Sequence, residues 1–323
     1  MEDTRVKNLL LAIGMLALSL APALAKDKVR AIDSTRMPFE HYALHQAKEE
    51  GFFDKADLDV SIIFGQGGAD TLQALVTGSQ EVATGVGVLS VIAAYAKGAP
   101  LVILGNMKRG AGELFWYVPA ASPIKSFKDL NGKVLVYSAA GSTTSLTVNT
   151  LIKEMGLNVK LVAVGGMSPA RTQVMSGQVD TGWSTFPVGL ESIRKGETRI
   201  IGFGSEAKAL EGTTMRVVAA NSDWVKKHRA VAERFMRALW QGQEFNYKGG
   251  EKAFQRYANA WKVAVEDARQ GPKYVRYEDV TFAPIGNLAL LLKLAKEYDF
   301  IKEDMTPAQA KGLVDLVYDP MKK

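Results

Sequence analysis

The chain has 323 residues, 47% hydrophobic and 23% charged, with a formal net charge of +6 and no cysteine. Absence of cysteine excludes a disulfide framework, thiolate metal sites, iron–sulfur clusters and cysteine nucleophiles, so stability must come from buried apolar surface. Lysines and arginines are scattered among acids rather than massed in one block, which gives no face for nucleic acid.

Arg5 and Lys7 precede an apolar run from Leu9 to Leu20, and Ala23 and Ala25 follow in the small-x-small pattern that signal peptidase reads. The run is shorter than the roughly twenty residues that span a bilayer. Residues 1–25 are therefore expected to be a cleaved signal peptide, with the mature protein released to a bacterial periplasm.

The mature chain alternates short β-rich runs with helical segments. Strands are predicted at 29–34, 58–64, 82–85 and 101–104, with helices at 41–50, 69–76 and 89–96 between them. A second series follows: strands at 114–118, 133–137, 159–164, 179–183 and 199–203, with helices at 126–130, 142–155, 168–175 and 188–195. Such alternation predicts α/β lobes built on mostly parallel sheets. A strand at 215–220 leads out, and segments near 221–247, 249–263, 285–298 and 306–318 show helical spacing with almost no strand signal. Asn221 and Thr306-Pro307 suit helix starts. The expected organisation is a discontinuous first lobe (26–108 and 217–323, with the helical tail packed on it), a second lobe (109–216), and a cleft between them. Ligands of such sheets sit beyond the carboxyl ends of the strands.

The loop Ser138-Ala139-Ala140-Gly141-Ser142-Thr143-Thr144-Ser145 enters a helix through small residues and hydroxyls. Free amides and the macrodipole at such a start suit a sulfonate, carboxylate or nitrate; the same residues also make an ordinary N-cap. Gly65–Asp70, which includes Gly67, Gly68 and Ala69, repeats the device or is a plain turn. Gly85-Val86-Gly87 is only a partial dinucleotide fingerprint, with Ser90 in the third slot, and no P-loop occurs. His41 and His45 share helical spacing, but residue 42 is tyrosine and no third ligand is apparent, so no metal site is expected. No nucleophile elbow or triad spacing is present, and no catalytic residue is assigned. Trp183, Ser184 and Phe186 fall where a strand reaches the cleft, and the aromatics either stack on a ligand or pack the core. Arg36 either pairs with an anion through its planar fork or is a solvated charge.

The order of motifs resembles a known family. Ser122-Pro123-Ile124-Lys125-Ser126-Phe127-Lys128-Asp129-Leu130-Asn131-Gly132-Lys133-Val134, then Gly141-Ser142-Thr143, Gly156-Leu157 and Gly177-Gln178-Val179-Asp180 ahead of Pro187, are similar to extracytoplasmic binding proteins for aliphatic sulfonates, taurine and nitrate. The early run from Ala47 to Phe53, followed by Leu58-Asp59-Val60, is also similar. The resemblance implies a type II periplasmic binding fold, a monomer that closes on a small organic anion, and delivery to the inner-membrane permease subunits of an ABC importer without a cofactor. Carried over, the ligand loops would be Ser34, Thr35 and Arg36; Gly67, Gly68 and Ala69; Gly87; and Gly141, Ser142 and Thr143, with Trp183, Ser184 and Phe186 across the cleft. The superfamily also contains thiamine-pyrimidine binding proteins and a fungal pyrimidine-forming enzyme that relies on a cysteine-rich motif. This cysteine-free chain departs from the enzyme's pattern and leaves pyrimidine binding open. A sensor that signals its closure to a receptor is a third reading.

Overall fold

The computed structural model describes residues 25–65 and 67–322. The signal-peptide expectation, apart from Ala25, lies outside the described residues.

The first sheet contains β1 (Asp27–Asp33), β2 (Leu58–Phe64), β3 (Val82–Gly87), β4 (Leu101–Arg109) and β10 (Thr214–Asn221), in the order β2-β1-β3-β10-β4. β1 runs parallel to β2 and β3, whereas β10 is antiparallel to both β3 and β4. The expected parallel character is therefore broken by one strand, which re-enters from the opposite end after the chain has visited the second sheet. All of β3 and most of β4 are buried, as befits strands covered on both faces.

The second half holds β5 (Leu114–Pro119), β6 (Val134–Tyr137), β7 (Lys160–Ala163), β8 (Gly182–Thr185) and β9 (Thr198–Phe203). Here β6 and β7 pair in parallel, and β5 pairs antiparallel with both β8 and β9. Side chains bridge the gap between β6 and β8. Val136 N donates to Thr181 Oγ1 at 3.2 Å, Thr181 Oγ1 donates to Val134 O at 3.0 Å, and Val134 N donates to Asp180 Oδ2 at 2.8 Å. Because Asp180 and Thr181 serve as side-chain bridges, β8 begins later than the alternation at 179–183 predicts.

Helices α1 (Ala43–Glu49), α2 (Phe52–Lys55), α3 (Gly68–Val76) and α4 (Val88–Ala96) connect the first strands; α5 (Thr143–Met155), α6 (Met167–Met175) and α7 (Leu190–Arg194) connect the second set. The tail comprises α8 (Ser222–Lys227), α9 (Arg229–Lys248), α10 (Gly250–Trp261), α11 (Val265–Tyr274), α12 (Leu288–Glu297) and α13 (Pro307–Gly312). Asn221 caps α8 by accepting from Asp223 N and Trp224 N, and Thr306 caps α13. The sequence reading has no helix at 265–274, because that stretch is mostly polar and carries Gly271-Pro272.

The tail seats α9 on α1 and α2, where Phe235 stacks on Phe53 at 5.1 Å within a buried cluster. Burying such a ring contributes about 1.5–3 kcal/mol. The tail also reaches the second half. Arg194 makes a bidentate pair with Asp267, Lys153 Nζ lies 2.7 Å from Glu297 Oε1, and Tyr274 stacks on Phe186 with centroids 3.4 Å apart. Its contacts thus extend beyond the single lobe on which the sequence reading places it.

Candidate interlobe site

The carboxyl ends of β1 and β3 and the start of β10 meet the residues leading into β5 and out of β8. Pro38, extended at φ −55° and ψ 139°, opens a 3-10 turn over Phe39–Tyr42 that sets Glu40 and His41 over the first sheet. His41 Nδ1 lies 2.5 Å from Asp33 Oδ1 at the end of β1. The imidazole rests against Gly85: a Cβ there would stand 2.0 Å from His41 Cε1, and the φ of +76° also favours glycine. Arg216 Nη1 of β10 lies 2.6 Å from Glu40 Oε1 and 2.7 Å from Glu113 Oε1. Lys108 Nζ of β4 lies 3.3 Å from Glu113 Oε2.

This chain of ion pairs is buried throughout. Burial opposes the charge on Glu113, but Lys108 and Arg216 outweigh it and hold its carboxyl below the ordinary range. Burial likewise opposes the charge on Arg216, and Glu113 and Glu40 keep the guanidinium firmly protonated. Three carboxyl groups thus share the cluster with the Arg216 guanidinium and the Lys108 amine. Asp33 Oδ2, Glu40 Oε2, His41 Nε2 and the hydroxyls of Thr84 and Thr185 have no hydrogen-bond partner among the described residues. Buried polar atoms nearly always find partners, so a group of unpaired ones marks a place suited to a polar ligand.

The expected ligand loops fall in several places. Ser34 is buried and donates to Gly85 O at 2.8 Å, and Thr35 N donates to Asp33 Oδ1 at 3.4 Å, so both border the cluster. Arg36 is exposed, its guanidinium 4.7 Å from the Phe64 ring centroid. Gly67 and Gly68 have open space where a Cβ would stand, and Ala69 is exposed. Gly87 meets the second half directly: a Cβ on it would lie 2.9 Å from Gly141 O and 3.3 Å from Ser142 Cα. Thr143 Oγ1 donates to Met215 O at 3.4 Å. The hydroxyls around this helix start serve their own loop, since Ser145 N donates to Ser142 Oγ and Ser138 N to Thr144 Oγ1. Geometrically this is an N-cap, packed against Gly87.

Trp183 Nε1 donates to Gly165 O at 3.2 Å, and Ser184 Oγ to Val188 O at 3.0 Å. Phe186 is 1% exposed and packs among Phe115, Phe203 and Tyr274. His45 stacks on Phe64 at 4.9 Å, away from the Asp33–His41 pair. Among the described residues no group of three or more His, Cys, Asp or Glu is arranged to hold a metal ion.

Sequence reasoning misses Asp33, Glu40, Thr84, Lys108, Glu113, Thr185 and Arg216. A usable signal exists for one of them: Arg216 is the one charge in β10, between Met215 and the apolar run Val217–Ala220.

Two α/β halves, a double crossing between them and a buried charged cluster at the strand ends make up the architecture. Residues 38–253, more than half of the chain, match the family model described as NMT1/THI5 like, and the chain belongs to that family. A putative thiamine biosynthesis protein of Haemophilus influenzae is 26% identical over 246 residues, covering 74% of this chain and 75% of that protein. The 4-amino-5-hydroxymethyl-2-methylpyrimidine phosphate synthase of Uromyces fabae is 22% identical over 238 residues, covering 68% and 67%. Among solved structures, the periplasmic aliphatic sulphonate binding protein SsuA of Escherichia coli superposes with a TM-score of 0.72 at 18% identity, over 88% of this chain and 97% of that one. The fold is that of periplasmic binding proteins.

Proposed function

We propose that this protein is the solute-capturing component of an ABC importer and that its two lobes (26–108 with 217–323, and 109–216) close on an amino-substituted heteroaromatic of the thiamine-pyrimidine type. The carrying observation is the pair of unpartnered carboxylate oxygens, Asp33 Oδ2 and Glu40 Oε2, in a buried cluster that also holds Glu113, Arg216 and Lys108. Such a floor accepts hydrogen bonds and suits a ligand rich in N–H donors. It disfavours a sulfonate, whose oxygens would meet carboxylates in a low dielectric. The thiamine-related names of the two curated relatives support the same class.

Capture at micromolar affinity needs about −8 kcal/mol, within reach of a few charge-assisted hydrogen bonds and a buried ring. Closure shifts an open–closed equilibrium through contacts made only in the closed state. The periplasmic likeness and the leader-like start support export, after which a monomer would present its rim to permease subunits. A binding role is favoured over catalysis because the chain has no cysteine to supply the enzyme's cysteine-rich motif.

A second reading, the capture of an organic anion, draws on the likeness to SsuA and on the α5 start at Gly141–Thr143. With Gly87 in backbone contact with Gly141, an anion there requires the lobes to part.

A thermal-shift series on the mature protein separates the two readings. The ligand at 100 times its dissociation constant stabilises by about 2.7 kcal/mol. A shift with 4-amino-5-hydroxymethyl-2-methylpyrimidine supports the main reading; a shift only with taurine, alkanesulfonates, benzoate or nitrate replaces it with the second.

A further inference from the structure

A cavity of about 440 Å³ opens beside the crossing segments, lined by residues 108–112 of the first crossing, 203–212 of the return and 273–279 of the tail. Five basic residues line it, Lys108, Arg109, Lys208, Lys273 and Arg276, against two carboxylates, and Lys108 is buried and already paired with Glu113. Arg276 pairs with one of these, Asp279, at 2.9 and 3.0 Å. Arg109 is held by carbonyls of the 278–284 segment, which fixes its place without cancelling its charge. Lys208 and Lys273 are exposed and have no ion-pair partner among the described residues. Phe203 and Tyr274 add apolar wall.

We infer that this cavity is a second binding site, for a flat organic dianion such as an aromatic disulfonate or dicarboxylate. The volume is of the size that holds small ligands, and the apolar walls suit a ring. The positive excess concentrates anions at its mouth, and free ammonium groups gain charge-assisted bonds without breaking existing pairs. Negative charge thus finds its complement beside the crossings, while the interlobe floor favours hydrogen-bond donors. The site stands independently of the identity of the captured solute. Both crossings line the cavity, so a dianion in it touches the segments that must flex when the lobes open, and its occupancy biases that motion.

The test is calorimetric titration of the mature protein with benzene-1,3-disulfonate, repeated on Lys208→Gln/Lys273→Gln, on Lys208→Arg/Lys273→Arg and on the interlobe variant Thr185→Val. Saturable one-to-one binding is expected. It should weaken about tenfold or more in the glutamine pair, survive in the arginine pair and be unchanged by Thr185→Val. No saturable binding, wild-type binding in the glutamine pair, or loss of binding in Thr185→Val overturns the inference. Pyrimidine binding, measured separately, is untouched by any of these failures.

Discussion

Arg216 Nη1 stands 2.7 Å from Glu113 Oε1, and this pair ties β10 of the first sheet to the residue that leads into β5 of the second. The same guanidinium nitrogen holds Glu40, so one cation supports two buried carboxylates. Arg216→Met removes the ion-pair partner of Glu40, which keeps His41 Nε2 3.8 Å away. The expected cost is about 3–5 kcal/mol, because an unpaired buried charge remains. Urea unfolding of the variant measures it, and a cost below 1 kcal/mol would contradict the network.

The depressed carboxyl of Glu113 adds an acid dependence. A carboxyl with a folded pKa below its unfolded value contributes stability that is complete above the unfolded value, ordinarily 4.5. That contribution is lost as the pH falls through the folded value. Glu113→Gln should therefore lose part of the wild-type decline in stability below about pH 4.5, as followed by unfolding midpoints.

His45 supplies a second pH signature with the same sign. Burial, outweighing the attraction of Asp33 and Glu49, lowers its pKa from the ordinary 6.5. The unfolded chain therefore takes up the proton first, and stability declines as the pH falls from 6.5 toward the folded value. Because His45 stacks between Phe64 and Tyr42, phenylalanine fits its place. His45→Phe should flatten the difference between unfolding midpoints at about pH 7.5 and pH 5.5; an unchanged slope would assign it to other groups.

Phe186→Ala tests whether that ring packs the protein or awaits a ligand. With the ring 1% exposed and stacked on Tyr274, removal should cost about 3–5 kcal/mol. Wild-type stability with weakened ligand binding would return Phe186 to the ligand-facing role that the family resemblance implies.

Gly85→Ala would push a Cβ into the His41 ring at a backbone angle that disfavours alanine. His41 must then leave Asp33, and pyrimidine affinity should fall by about tenfold, the equivalent of one hydrogen bond of roughly 1.4 kcal/mol. Fluorescence titration reads the loss, and unchanged affinity would remove His41 from the site.

Local chemistry made much of the fold legible. Alternating β-branched residues mark Leu58–Phe64 with both ends correct, and Ser142 announces α5 through its cap. What failed depends on partners distant in sequence. The direction of β10 is set by the strands it enters between, and β8 is displaced because Asp180 and Thr181 serve β6 instead. The site was harder still. Arg216 meets Glu113 across 103 positions and Glu40 across 176, and no local pattern encodes such meetings. Glycine and hydroxyl loops catch the eye in a sequence, yet Gly141–Thr143 forms a cap packed on Gly87 while strand residues Asp33, Lys108 and Arg216, with Glu40 and Glu113 beside them, carry the buried charge.

Calorimetric titration of the mature protein with 4-amino-5-hydroxymethyl-2-methylpyrimidine tests the central claim most directly. One-to-one binding near micromolar affinity, lost when Asp33→Asn removes the acceptor charge, is the predicted result. A flat trace with the pyrimidine, alongside tight binding of taurine or an alkanesulfonate, would contradict it.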